Sequence, residues 1–104
     1  MSTNYDYGFE LIHDIIKLKW VPEILGTIAT GHQSFNEILE AIPFLSSTEL
    51  NRKLNLLVEK EALQKTVFPE NRTAYTLLPF GKDLDHIFRH FIELEEKYLR
   101  PQMA

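Results

Sequence analysis

The segment from Ser46 to Lys65 constrains the fold more than any other part of this chain. Its leucines recur at helical spacing and would share one helix face, while Ser46 and Glu49 stand at the S-x-x-E spacing of a capping box. The outward surface would carry hydroxyl, amide and guanidinium groups, which can bond the base edges and phosphates of DNA. We therefore predict a DNA recognition helix over about residues 46–60. An ordinary amphipathic helix with a polar outer face remains the alternative from this segment alone.

The neighbouring segments favour the first interpretation. A second capping box, Ser34 to Glu37, predicts a short helix that Pro43 would end. Two short helices joined by a tight turn, the second with the polar face, form a helix-turn-helix over residues 34–62. Beyond it, apolar and polar residues alternate with period two on both sides of a turn cluster, which predicts a β-hairpin over residues 63–78. A hairpin directly after a helix-turn-helix is a candidate wing.

Amphipathic helices are predicted at both ends of the chain, over residues 9–30 as a pair and over residues 82–99 as one long helix. The first of the pair would run from Phe9 to Trp20. The last helix has more apolar surface than one small domain can cover, which favours a homodimer. The residues expected in the dimer interface come from the terminal helices: Phe9, Ile12, Phe88, Phe91, Ile92, Tyr98 and Leu99.

Composition bounds the class of protein. The 104 residues suit a single domain over residues 1–104, and the net charge of −4 argues against indiscriminate nucleic-acid binding. Residues 46–82 nevertheless hold six basic and four acidic side chains, so the basic excess lies on the predicted recognition segment. The absence of cysteine excludes disulfides, thiol catalysis and thiolate metal sites. Short apolar runs and a polar N-terminus predict a cytoplasmic protein without membrane contact.

No pattern in the sequence indicates an enzyme or a cofactor. A Gly-rich phosphate loop, a nucleophile elbow and a Ser-His-Asp arrangement are all missing. His86, His90 and Glu93 lie on one side of the last predicted helix and could supply metal ligands. No cysteine or second histidine pair supports such a site, so we predict a solvated face and no bound metal.

Several motifs, in order along residues 14–99, resemble the HxlR-type winged-helix transcriptional regulators. Lys19-Trp20 resembles the Lys-Trp near the end of that family's first helix. Residues 42–46, Ile-Pro-Phe-Leu-Ser, resemble its Leu-Pro-Gly-Ile-Ser, and residues 72–77 resemble its wing, Arg-x-x-Tyr-x-Leu. The remaining matches are the helix start Gly31, Phe35, Glu37 and Ile38, the leucines Leu50, Leu54 and Leu57, and the exit residues Gly81 and Leu84.

The resemblance implies a mainly α fold with a small β-hairpin (α+β), a winged helix-turn-helix that dimerises through its terminal helices. It implies double-stranded DNA as the partner, with the recognition helix in the major groove and the wing on the backbone or minor groove. The chain departs from the family pattern at Ser34, where a basic residue is common, at Glu61, where glycine usually follows the recognition helix, and at Leu78, where a hydroxyl usually starts the last helix. It also lacks the family's frequent redox cysteine, which excludes sensing by thiol oxidation.

The predicted DNA contacts divide by role. Ser46 and Ser47 would contact phosphate at the helix N-terminus, and Thr48, Asn51 and Arg52 would read base edges. The further predicted contacts are Lys53 and Asn55 on the helix, and Lys65, Asn71 and Arg72 on the wing.

Two alternatives stay open. A winged-helix module for protein–protein association, with little DNA affinity, is favoured by the acidic net charge and by Ser34. A small-molecule effector is a second open question, because aromatic residues near the termini could line an apolar site between helices. Those residues are Tyr5, Tyr7, Trp20, Phe88 and Phe91, and packing within the core or interface is the preferred interpretation.

Overall fold

The computed structural model describes residues 4–100, and the side chains of residues 10–100. Five α-helices and one antiparallel hairpin form a winged helix-turn-helix, the mainly α fold with a small β-hairpin that the sequence predicts. The elements in chain order are α1 (Asn4–Ile16), α2 (Val21–Ala29), α3 (Phe35–Ala41), α4 (Ser47–Glu59), β1 (Leu63–Phe68), β2 (Arg72–Leu77) and α5 (Pro79–Leu94). No helix within this described part of the chain has the length and apolarity to cross a membrane.

Helix α2 lies at the centre of the molecule and packs against α1, α3, α5 and β2. Its apolar residues Val21, Ile24 and Leu25 are completely buried. They join one contiguous hydrophobic cluster that also holds Leu84 of α5 and Tyr75 of β2. Because α3 and β2 both rest on this helix, α2 fixes the start of the helix-turn-helix relative to the hairpin.

Both predicted N-terminal caps form, although to different extents. At α3 the capping box is complete: the Ser34 hydroxyl accepts the Glu37 N–H at 3.1 Å, and the Glu37 carboxylate accepts the Ser34 N–H at 3.1 Å. At α4 the Ser46 hydroxyl accepts the Glu49 N–H at 3.1 Å. The Glu49 carboxylate instead accepts bonds from Arg52 and Lys53. The predicted box at α4 is therefore a one-sided cap, which still satisfies one of the free N–H groups of the first turn.

The hairpin is held to the helical body by backbone contacts. Its strands pair from Leu63 with Leu77 to Phe68 with Arg72. The Tyr75 N–H donates to the Gln33 carbonyl at 2.8 Å, which ties β2 to the segment before α3. A Cβ at Gly81 would lie 2.1 Å from the Ala62 carbonyl oxygen, so only glycine lets α5 pack this closely against the turn after α4.

The helix boundaries differ from the sequence expectation at both ends of the chain. Helix α1 ends at Ile16 and not at Trp20: residues 17–20 form a turn, and Trp20 has a left-handed conformation (φ 75°) at the N-terminus of α2. Helix α5 begins at Pro79, since proline fits a first helical position where its missing N–H costs nothing. It ends at Leu94, and a single π-helical turn, Glu95–Leu99, follows.

Candidate nucleic-acid interface

The outward side of α4 presents a continuous polar surface. At about 100° per residue, the positions of Thr48, Asn51, Arg52 and Asn55 fall within an arc of about 100°, and all four residues are exposed. The opposite side of the helix holds Leu50, Leu54 and Leu57, each completely buried in the core. The buried leucines fix the rotation of α4, so these polar side chains point away from the protein and are free to contact a ligand.

The N-terminus of α4 is also uncovered. Ser46 and Ser47 are exposed, and the Ser46 hydroxyl oxygen accepts the Glu49 N–H while its own O–H remains a donor. The positive end of the helix dipole lies here and favours an anion such as a phosphate group. Both serines therefore lie where an anion could accept hydrogen bonds from the start of the helix.

A carboxylate shares the basic part of this surface. Glu49 Oε1 accepts from Arg52 Nη1 at 2.9 Å, and Glu49 Oε2 accepts from Lys53 Nζ at 3.0 Å. The hydrogen bond from Lys53 is the largest cause that lowers the pKa of Glu49, and the charges of Arg52 and Lys19 also lower it. The Lys53 side chain is only 13% exposed, whereas that of Arg52 is 69% exposed. Arg52 is thus available to a ligand and Lys53 is largely committed to Glu49.

Two contributions to this surface were missed by sequence reasoning. Glu49 was assigned only to a capping box, although its i+3 and i+4 spacing to Arg52 and Lys53 is the ordinary signal for ion pairs on a helix. Lys19, in the turn between α1 and α2, lies near enough for its charge to act on Glu49, and its Nζ stands 5.1 Å from the Trp20 ring centroid. No local pattern brings residue 19 to residue 49; only the packing of α2 against the helix-turn-helix does so.

The hairpin places its predicted contact residues at the end distant from the core. Asn71 and Arg72 are exposed at the tip, and Lys65 is exposed on β1. Glu70 and Asn71 both adopt left-handed conformations (φ 68° and 58°), which makes the turn tight. Glu70 adds a negative charge beside Arg72, so the tip carries one charge of each sign.

A cleft of about 640 Å³ separates the hairpin tip from the start of α3. Its lining includes Ser34 and Glu37 on one side and Phe68 and Arg72 on the other. The residues considered for an effector site do not form this cleft: Trp20 and Phe88 pack in or against the core, Phe91 is half exposed on α5, and the side chains of Tyr5 and Tyr7 lie outside the described residues.

The predicted dimer-contact residues do not all share one surface. Phe88 is only 4% exposed and belongs to the protomer's own core, so it is not available to a second subunit. Its ring packs edge-to-face with the ring of Phe91, with the two centroids 6.5 Å apart. The side chain of Phe9 lies outside the described residues. Among residues 10–100, whose side chains the structure describes, the large exposed apolar residues of α1, α5 and the final turn are Leu11, Ile12, Phe91, Ile92, Leu94, Tyr98 and Leu99, of which Leu11 and Leu94 were not predicted as dimer contacts.

Of the two histidines on α5, His90 lies near a carboxylate of the same helix. His90 Nδ1 lies 3.6 Å from Glu93 Oε2, on an exposed stretch of the helix. Among the residues that the structure describes, no group of three or more His, Asp or Glu side chains is arranged to hold a metal ion.

Known proteins share both the sequence pattern and the fold. Residues 15–103 match the profile of the HxlR-like helix-turn-helix family. The chain is 32% identical over 95 residues to the uncharacterized HTH-type transcriptional regulator YvaP of Bacillus subtilis strain 168, covering 89% of this chain and 88% of that one. The reduced form of the B. subtilis transcriptional regulator YodB superposes with a TM-score of 0.77, at 25% identity and 99% coverage of both chains. An S. aureus MepR mutant bound to an oligodeoxyribonucleotide superposes with a TM-score of 0.66, at 18% identity, covering 99% of this chain and 86% of that one.

Proposed function

This chain belongs to the HxlR-like helix-turn-helix family, and from that premise we propose that it is a homodimeric transcriptional regulator that recognises a specific DNA sequence. The observation that carries the proposal is the exposed polar face of α4, held in a fixed rotation by three completely buried leucines. A single α-helix fits the major groove of B-DNA, where each base pair presents a distinct pattern of donors and acceptors. We place the protein in the cytoplasm, together with the DNA that it would regulate.

In this proposal α4 reads bases and the hairpin holds the backbone. Asn51 and Arg52 have the amide and guanidinium groups that pair with adenine and guanine edges, and Thr48 adds a hydroxyl and a methyl group. The exposed cations Lys65 and Arg72 would neutralise phosphates on either side of the groove. Ser46 and Ser47 would donate to a phosphate at the helix N-terminus. The shared fold of the S. aureus MepR mutant bound to an oligodeoxyribonucleotide supports DNA as the partner.

The exposed apolar surface of the terminal helices supports the homodimer. Phe91 and Ile92 are about half exposed (49% and 55%), and Tyr98 and Leu99 are more so (66% and 78%). A two-fold contact would bury the same surface on both subunits and would present two copies of α4 to one duplex. Half-sites would then lie about one helical turn apart or a multiple of it.

Any signal that controls this regulator must differ from thiol oxidation. The superposed structure of YodB is that of its reduced form. The present chain has no cysteine, so no thiol can form a disulfide or a sulfenic acid in it.

Selection of bound fragments from genomic DNA, followed by fluorescence anisotropy, tests the proposal. We expect the purified protein to enrich one sequence and to bind it at least about a thousandfold more tightly than a scrambled duplex at near-physiological salt. The affinity should fall with salt at a log–log slope of about −0.9 per phosphate contacted. Light scattering after size exclusion should give twice the monomer mass of 12.2 kDa.

The competing function is protein association through the same fold. It is favoured by the pairing of both cations of the α4 surface with Glu49, which lowers the charge available to phosphate. Equal, salt-sensitive millimolar binding to selected and scrambled duplexes would support that function and would end the proposal of sequence-specific regulation.

A further inference from the structure

The ion pairs around Glu49 leave Arg52 held at one point only. Arg52 donates from Nη1 to Glu49, and within the described residues Nε and Nη2 make no hydrogen bond. A guanidinium can bond the O6 and N7 atoms of guanine through two nitrogens on one edge. The Glu49 carboxylate therefore holds Arg52 in one orientation while leaving the Nε–Nη2 edge free.

The same carboxylate limits the charge that α4 offers to phosphate. Glu49 occupies both Arg52 and the largely buried Lys53, and the Lys19 charge also acts on it. Non-specific affinity for DNA arises almost entirely from phosphate neutralisation, whereas base readout depends on the orientation of individual groups. A carboxylate at this position lowers the non-specific affinity for phosphate and favours base readout.

We propose that Glu49 is a specificity-determining positioning residue, whose carboxylate orients Arg52 for base readout and keeps Arg52 and Lys53 from binding phosphate indiscriminately. This inference rests on the proposed function, since it concerns the same surface of α4. It adds an acidic residue to an interface for which the sequence suggested only neutral and basic contacts.

The test compares Glu49→Gln with Glu59→Gln, which removes the same charge from an exposed position at the far end of α4. A glutamine oxygen is uncharged and cannot hold both cations, so the substitution releases at least one of them. Each protein is titrated by anisotropy against the selected duplex and a scrambled duplex of equal length and composition, at several salt concentrations. Circular dichroism melting confirms that each variant is folded.

We expect Glu49→Gln to bind the scrambled duplex several-fold more tightly and to steepen its salt slope by about 0.9 per subunit, one added phosphate contact. The ratio of selected to scrambled affinity should fall by about tenfold, within the range that one bidentate base contact discriminates. Glu59→Gln should leave the ratio and the slope near those of the unmodified protein.

Two results would overturn the inference. In one, Glu49→Gln and Glu59→Gln change both affinities equally with the ratio preserved, so that only net charge matters. In the other, Glu49→Gln leaves the ratio and slope unchanged.

If Glu49→Gln does not fold, a double-mutant cycle with Glu49→Asp and Arg52→Lys tests the same inference. Independent effects of these two substitutions on the ratio of selected to scrambled affinity would mean that Glu49 does not act through Arg52. Failure of the unmodified protein to prefer any duplex would instead refute the proposed function.

Discussion

The outer side of α4 and the outer side of the terminal helices are both exposed, but they expose opposite chemistry. On α4 the leucines are completely buried and the polar side chains face outward. On the distal part of α5 and the turn that follows, Phe91, Ile92 and Tyr98 remain exposed. A polar surface over a packed core is stable in water by itself and is suited to a hydrated, charged ligand. An exposed apolar surface gains free energy by meeting another apolar surface. The two surfaces thus suit two chemically different partners.

The largest effect should follow from placing a charge on the apolar surface. Phe91→Asp would bury an unpaired carboxylate in the proposed dimer contact, and we expect dimerisation to weaken by about 3–5 kcal/mol. Sedimentation or light scattering should show a monomer, and DNA affinity should fall as well because two half-sites are no longer bound together. His86→Asp adds the same charge at an exposed position of α5 and serves as the control. A dimer that survives Phe91→Asp would exclude this surface as the contact.

A smaller effect is expected from the polar surface. Arg52→Ala should cost about 1–3 kcal/mol in binding the selected duplex, confined to one base position per half-site, because a bidentate contact discriminates by that amount. Lys60→Ala removes an exposed cation just beyond α4 and is the matched control. Anisotropy with duplexes substituted at single positions measures the loss. An equal loss at every position would assign Arg52 to phosphate contact.

A substitution in the turn that leads into α4 should stabilise the protein, in contrast to the losses expected above. Phe44 is 98% exposed and has a left-handed backbone (φ 69°), a conformation that favours glycine. Phe44→Gly should therefore raise the free energy of unfolding by about 1 kcal/mol, measured by urea denaturation. Glu61→Gly relieves the same conformation (φ 61°) after α4 and should give a similar gain. A loss of stability in Phe44→Gly would mean that the ring makes a stabilising contact despite its exposure.

The smallest expected effect is on the pH dependence of stability near α3. The hydrogen bond from the Ser34 backbone is the largest cause that lowers the pKa of Glu37 below its ordinary value of 4.5. A lowered folded-state pKa means that the stabilisation is present above the unfolded-state pKa and is lost as the pH falls through the folded-state value. Glu37→Gln should thus be less stable than the unmodified protein at neutral pH, and the difference should shrink in acid.

Thermal unfolding from about pH 6 to about pH 3 measures this difference. Glu40→Gln, an exposed carboxylate of the same helix, controls for the change in net charge. The proposed dimer contact of the terminal helices, being apolar, should show no corresponding acid dependence. A constant difference between Glu37→Gln and the unmodified protein across this range would show that the carboxylate charge does not stabilise α3.

Local signals predicted most of the fold because a few neighbouring residues set where most helices and strands begin and end. The Ser34 and Ser46 caps, the positive φ at Gly31 that follows α2, and the period-two alternation of the hairpin all depend on neighbours in sequence. The bounds of α1 and α5 were less accurate: α1 ends before the left-handed Trp20, and α5 begins at Pro79, a residue typical of the first helical position, and not at residue 82. The exposure of Thr48, Asn51, Arg52 and Asn55 followed from the leucine spacing alone, whereas that of Lys53, only 13%, did not.

The sequence by itself determined the order of helices and strands, the polar character of α4 and the exclusion of thiol chemistry. Only the tertiary structure decided that Phe88 is buried within the protomer and that the Lys19 charge acts on Glu49. The physical reason is the range of the interactions. Caps, turns and helix faces arise from interactions within a few residues. Burial, and the effect of a charge from elsewhere in the sequence, depend on side chains brought together from distant parts of the chain.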